Sequence, residues 1–230
     1  MQESKKAVVL LSGGIDSSTT LAIAKSLGFS VFALTFNYGQ THQVELDSAK
    51  KIARLIGVFQ HVVFKLDLAK LVSSALTGNM KIPKKRPIKD INSEIPSTYV
   101  PGRNLIFLSI ALSWAETIGS YDIFIGANSI DYSGYPDCRP EFIEAFQICT
   151  NLATKAGVEG KNITIHAPLI SMSKGEIIKK GIDLGIDYSQ CHSCYDPDSL
   201  GRACGSCDSC ILRKNGFREA GIKDPTNYIT

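Results

Sequence analysis

Residues 7–11, AVVLL, form an unbroken apolar run that stops abruptly at Ser12-Gly13-Gly14-Ile15-Asp16-Ser17-Ser18. Apolar residues at every position, rather than every second one, mark a strand covered on both faces, as inside a parallel sheet. Parallel strands cannot be joined by a tight hairpin, so each needs a crossover, usually a helix. This one feature commits the chain to alternating strand and helix.

The remainder keeps that alternation. Strands are expected near residues 5–12, 30–38, 61–68, 121–127 and 162–169, with helices near 17–27, 44–56, 104–119 and 140–156. A further helix should open at Ser173, which stands three residues before Glu176 in capping-box spacing. The pattern predicts an α/β fold, an open parallel sheet with helices on both faces, Rossmann-like. Residues 77–97 break the pattern with scattered Pro and Gly and the basic group Lys81, Lys84, Lys85, Arg86 and Lys89. A solvated surface loop is the plainer reading, and a lid or phosphate-contacting arm the alternative.

At 230 residues the chain suits one domain with a small appendage, divided here into 1–188 and a C-terminal segment 189–230. A net charge of +3 is too small for a surface built to hold nucleic-acid phosphates, so no stable nucleic-acid binding is expected. Without an 18-residue apolar stretch no membrane span is expected, and Met1 to Lys6 leads straight into the first strand without a secretory signal. A cytoplasmic location is the expectation. Seven cysteines, five of them between Cys191 and Cys210, point to metal ligation rather than a disulfide framework.

The turn after the first strand should sit at the carboxyl edge of the sheet, where open α/β folds bind ligands. Gly13 and Gly14 let the main chain approach an anion, the helix N-terminus supplies amides, and Ser12, Ser17 and Ser18 add hydroxyls. No lysine follows the glycines, so this is not a Walker loop, and the G-x-G-x-x-G spacing is also absent. Amides and hydroxyls alone suit a pyrophosphate that departs as one piece, with Asp16 placed to hold Mg²⁺. A turn that merely joins strand to helix is the plainer alternative. SGGIDS resembles the SGGxDS loop of the PP-loop ATP pyrophosphatase superfamily, whose members activate carbonyl or carboxylate oxygens by adenylation.

Cys194, Cys204, Cys207 and Cys210 are the preferred ligands of a tetrahedral four-sulfur site, because two C-x-x-C steps turn tightly and the loop from Cys194 supplies a fourth arm. Cys191 is the main competitor and His192 a weaker one. Zn²⁺ is favoured over an iron–sulfur cluster, and four soft ligands with no open position make one structural ion per chain.

Read together with FNYGQTHQVEL, YVPGRNLIFLSIA and GANSIDYSGYPDCRPEF, the turn and the cysteine cluster resemble the QueC family of queuosine-precursor biosynthesis, across residues 7–213. The resemblance implies an adenine-nucleotide alpha-hydrolase-like fold, a homodimer and a carbon–nitrogen ligase. Such a ligase would use ATP and ammonia to turn 7-carboxy-7-deazaguanine into 7-cyano-7-deazaguanine. By motif, Leu11, Ser12, Gly13, Gly14, Ile15, Asp16, Ser17, Ser18, Thr19, Thr20 and Leu21 would bind ATP, and Cys194, Cys204, Cys207 and Cys210 would hold zinc. Cys191 and the length of the Cys194 to Cys204 gap depart from the pattern.

Deazaguanine contacts are sought in DYSGYPDCRPEF. Tyr132 or Tyr135 would stack on the ring, Asp131 or Asp137 would accept from its N–H edge, and Arg139 would pair with carboxylate or phosphate. A structural turn held by its prolines is the alternative. Arg103 is a second phosphate candidate, with a surface salt bridge as its plainer role. His42 and Glu45 are candidates to handle ammonium, with capping or core roles equally open. The rival function is a PP-loop enzyme that thiolates a tRNA base, which would want a catalytic cysteine pair outside the metal site. Cys138 and Cys149 are a poor supply.

Overall fold

The computed structural model describes residues 4–78, 80–91, 95–130 and 134–229. Among them, β1 (Lys6–Leu10), β2 (Ser30–Asn37), β3 (Gln60–Lys65), β4 (Asp122–Phe124) and β5 (Thr164–His166) form one sheet in the order β3-β2-β1-β4-β5. All neighbouring pairs are parallel, with Val8 opposite Phe32 on one side and Ile123 on the other. The order reverses direction between β1 and β4, which makes their carboxyl ends the switch point of the sheet.

The helices are α1 (Ile15–Ser26), α2 (Val44–Ile56), α3 (Ile88–Ile91), α4 (Arg103–Ile118), α5 (Pro140–Ala153), α6 (Lys155–Val158), α7 (Lys174–Asp183) and α8 (Asp208–Ala220). They cover both faces, as the unbroken apolar run requires. Val8 and Leu10 of β1 share a core with Leu108 and Ala111 of α4 and Phe146 of α5. Ala7 and Val9 join the opposite core, with Leu21 of α1, Ile52 of α2, Ile177 of α7 and Phe217 of α8. Each such Val, Leu or Ile contributes about 1.5–3 kcal/mol by leaving water. The capping box forms as expected: the Ser173 hydroxyl accepts from the Glu176 amide, and the Glu176 carboxylate accepts from Ser173.

Four features differ from the sequence expectation. β4 and β5 are three residues each, because the segments after them leave the ladder at the carboxyl edge. The helix expected over 140–156 breaks at Thr154, which is extended and whose hydroxyl accepts from the Gly157 amide to start α6. Helix α8 has no apolar stripe to announce it; its buried positions include Asp208, Ser209, Cys210, Arg213 and Gly216. Finally, the basic stretch is exposed at Lys81, Lys84, Lys85 and Lys89, as a solvated segment should be, yet it is pinned to the cysteine segment. Lys84 pairs in a bridge with Cys207, the Lys85 amide donates to Ser206 (2.7 Å), and Lys84 and Arg86 meet Asp196 (2.6 Å) and Asp208 (2.9 Å). It is a strap across the cysteine segment, drawn there by two carboxylates.

Candidate active site

A cleft opens at the switch point, floored by the turn after β1 and walled by α4 on one side and the segment 193–195 on the other. The two glycines of the turn do different things. Gly13 has φ +88, and a Cβ on it would stand 2.6 Å from the Glu45 carbonyl oxygen and 2.7 Å from the Ala49 nitrogen, both main-chain atoms of α2. Gly14 caps α1, lines the cleft and has no neighbour closer than 3.6 Å to the Cβ position. Gly13 lets the turn pack against α2, while Gly14 leaves the N-terminal amides of α1 open to an anion.

Ser12 and Ser17 close the turn on itself: their hydroxyls lie 3.0 Å apart, and the Ser12 amide donates to Ser17 Oγ (3.1 Å). Ser12, Gly14, Ile15, Asp16 and Ser17 line the cleft with Leu11. Ser18, Thr19, Thr20 and Leu21 are buried inside α1 instead. Ser18 Oγ donates to the Gly14 carbonyl (2.6 Å), and Thr19 Oγ1 donates to Ile15 (2.9 Å) and meets the Tyr188 hydroxyl at 2.7 Å. Gly126, just after β4, lets that segment come close to the start of α1: a Cβ on it would lie 3.0 Å from the Asp16 carbonyl carbon and 3.1 Å from the Ser17 nitrogen.

The lysine absent from the turn arrives from elsewhere. Lys174, the first residue of α7, is 4% exposed, and its Nζ lies 2.7 and 2.9 Å from the two carboxylate oxygens of Asp16. Its stem crosses α8 at Gly216, where a Cβ would come within 2.2 Å of Lys174 Cγ. The sequence reading passed it over, although a buried cation at a helix N-terminus opposes the helix dipole and needs a reason to be there.

The opposite wall carries Arg103, Asn104 and Phe107 of α4 with Tyr38, Glu45 and Tyr135. The Arg103 guanidinium lies 6.0 Å from the Tyr38 ring centre, and Phe107 stacks on Phe36 at 3.9 Å. Tyr135 is fixed by its hydroxyl, 2.9 Å from Thr98 Oγ1. Burial pushes the Glu45 carboxyl up to about 7 against the pull of Arg103.

Other expected contacts lie outside this wall. Asp137 is buried and accepts from the Asn104 amide at 2.8 Å, so its carboxylate holds the start of α4 rather than facing the cleft. Arg139 is exposed at the cap of α5, and His42 lies 3.8 Å from Asp196; neither lines the cleft. Asp131 and Tyr132 lie outside the described residues.

Cys194, Cys204, Cys207 and Cys210 bring their sulfurs within 4.8 Å of one another. A tetrahedral ion with bonds of about 2.3 Å to sulfur needs edges of about 3.8 Å, so the four thiolates can close on it with little movement. The donor set is already turned inward: the Asp196 and Cys204 amides donate to Cys194 Sγ (3.3 and 3.2 Å), and the Cys207 amide donates to Cys204 Sγ (3.3 Å). Cys191 is outside the cluster; its thiol faces Ser18 Oγ at 3.4 Å, and burial pushes it up to about 11. The His192 amide donates to the Gly13 carbonyl (2.9 Å), which ties the metal-ligating segment to the turn. Arg213, 3% exposed, braces the same segment through the carbonyls of Tyr188 (2.9 Å) and Cys191 (3.3 Å).

A parallel sheet whose lysine-free first turn faces a cleft at the switch point, with Lys174 paired to Asp16 across it, has the architecture of the open α/β class, in which ligands bind at the carboxyl edge. Within that class the chain belongs to the queuosine biosynthesis protein QueC family, whose sequence profile matches residues 6–221. It is similar to the 7-cyano-7-deazaguanine synthase of Desulfatibacillum aliphaticivorans, with 59% identity over 99% of this chain and 98% of that one. Those of Geobacter sp. strain M21 (60%, over 97% and 98%) and Myxococcus xanthus (57%, over 97% and 97%) are similar as well. The resemblance carried by five ordered motifs is thereby borne out. No described helix is long and apolar enough to cross a membrane.

Proposed function

We propose that the chain converts 7-carboxy-7-deazaguanine, ammonia and ATP into 7-cyano-7-deazaguanine. The observation that carries this reading is the near-complete match to relatives named for that synthase. A carboxylate resists nucleophiles because it is already negative, so an oxygen must first become a leaving group. The turn at residues 12–17 holds the phosphates, and Lys174 offsets their charge as the bond to pyrophosphate breaks. Asp16 would hold Mg²⁺, which would supply positive charge against the phosphates. Arg103, cationic at any working pH, orients the substrate carboxylate or a phosphate. Tyr135 and Tyr38 offer aromatic edges to the deazaguanine.

Ammonia displaces AMP to give the amide, and activation of the amide oxygen in the same cleft leads to the nitrile. The turn's build supports release of AMP and pyrophosphate at each activation. Four inward-facing thiolates with no open position support a structural Zn²⁺, around which the segment 189–230 packs onto the nucleotide-binding body. We place the enzyme in the cytoplasm, since all seven cysteines are free thiols, and as a homodimer on its family membership. The engagement of Lys84 and Arg86 by carboxylates speaks against an RNA surface there. Incubation with ATP, Mg²⁺, ammonium and 7-carboxy-7-deazaguanine should yield the nitrile by mass. ATP turnover that instead depends on tRNA would overturn the reading.

A further inference from the structure

We propose that Glu45 is the catalytic base that takes the proton from the ammonia nitrogen; this rests on the reaction assigned above. Two carboxylates line the cleft among the described residues. Asp16 is held by Lys174, which leaves Glu45 as the acid without a hydrogen bond or ion pair fixing its oxygens among those residues. Its main chain is pressed against the phosphate turn, since the Glu45 carbonyl is the atom that excludes a side chain at Gly13. Its side chain lines the same cleft as that turn. The groups that bear on it are Arg103 from α4 and Tyr38 from the end of β2, with the Asp16–Lys174 pair across the floor. Burial holds the carboxyl at about 7, so at neutral pH it is divided between proton-bound and proton-accepting forms, as suits a general base. His42, the other ammonium candidate, is turned toward Asp196 and does not line the cleft.

The proton accounting needs such a group twice. In the first step the C–N bond forms as ammonia attacks the acyl-adenylate carbon, an N–H proton passes to Glu45, and the C–O bond to AMP breaks. In the second step the amide nitrogen gives up two protons: one is released as its oxygen is adenylated and pyrophosphate departs, leaving the O-adenyl imidate, and the other passes to Glu45 as the C≡N bond forms and AMP leaves again. Glu45 returns each proton to solvent between steps. One carboxylate at one place thus serves both carbon–nitrogen events.

The test compares nucleophiles. Parent and Glu45→Gln proteins are given ATP, Mg²⁺ and 7-carboxy-7-deazaguanine, and three rates are measured: acid-dependent exchange of pyrophosphate into ATP, amide formation from ammonium, and hydroxamate formation from hydroxylamine. Hydroxylamine is a much weaker base than ammonia, so the adduct it forms on the acyl carbon gives up its N–H proton to water without help from a protein base. Loss of a general base typically costs about 10²–10⁴-fold. Glu45→Gln should therefore lower amide formation at least about 100-fold, and at least about tenfold more than either exchange or hydroxamate formation. If all three rates fall together, Glu45 is a structural or nucleotide-binding residue and the proposal is overturned; so too if amide formation keeps more than a tenth of its rate. Should the glutamine variant fail to fold, the same ratios are read on Glu45→Asp, where unchanged ratios with unchanged rates would overturn it. Absence of exchange in the parent protein would refute the assigned reaction instead, without reference to Glu45.

Discussion

Two adjacent glycines make separable demands, and alanine at each separates them. At Gly13, φ of +88 costs an alanine about 1–2 kcal/mol. The new Cβ would also stand 2.6 and 2.7 Å from main-chain atoms of α2, which no rotamer change can move aside. Relief requires α2 to shift, and with it the buried Ala49, Ile52 and Ala53. Overpacking strain of that kind costs about 1–3 kcal/mol, for a total of about 2–5 kcal/mol. At about 2–4 °C per kcal/mol for a chain of this length, Gly13→Ala should lower Tm by at least about 4 °C. At Gly14, φ is −83 and the nearest atom is 3.6 Å from the Cβ position. Gly14→Ala loses only a cap preference of less than about 1 kcal/mol, yet puts a methyl group where phosphate must approach, and should raise the KM for ATP. Calorimetry on both variants and ATP kinetics on the second decide the matter. Equal losses of Tm, or an unchanged Tm for Gly13→Ala, would refute the reasoning.

Further outcomes follow from the same geometry. Lys174→Met fills a similar volume but leaves Asp16 and the phosphates without their cation, so turnover should fall at least about 100-fold, with a drop in Tm as the Asp16 carboxylate loses its partner; a loss of turnover below tenfold would remove Lys174 from the chemistry. Cys207→Ala should abolish bound zinc, measured by elemental analysis of the purified protein, while Cys191→Ala should keep it, because only the former sulfur belongs to the cluster. Glu45 supplies a pH effect on stability. Its folded-state carboxyl titrates at about 7 against an ordinary 4.5, so between those values the folded state keeps a proton that the unfolded state releases. Stability from this group is present below about 4.5 and is lost as pH rises through about 7. Glu45→Gln should therefore gain Tm relative to the parent at pH 8 but not at pH 4.5; no relative gain at pH 8 contradicts the burial argument.

The apolar run at residues 7–11 and the glycines behind it made the sheet, its parallel sense and its phosphate edge readable, because burial on two faces leaves a pattern that needs no distant partner. The Ser173–Glu176 capping box was local and equally readable. Lys174 was not, since its role exists only once α7 is laid against α1 and Gly216 of α8 makes room for its stem. The same holds for α8, whose buried face includes Asp208 and Arg213, paired with Arg86 and Asp224 from other segments, rather than an apolar stripe. The strap at residues 80–91 is exposed, as its basic run suggests, but such a run declares its charge and not its partners, here Asp196 and Asp208. The cleft-facing residues Tyr38 and Tyr195 gave no signal beyond their chemistry, for they lie in segments whose ends the sheet order alone brings together.

A turn without a lysine of its own, served by Lys174 across the cleft, is expected to drive two activations of one carbon by releasing pyrophosphate. This is tested most directly by counting products: nitrile by mass, and nucleotides by chromatography, from one incubation with 7-carboxy-7-deazaguanine, ammonium, Mg²⁺ and ATP. AMP and pyrophosphate are expected, each in about twofold ratio to nitrile, one pair for each C–O bond activated as the nitrile forms. ADP and phosphate in their place, or nitrile without nucleotide consumption, would contradict it.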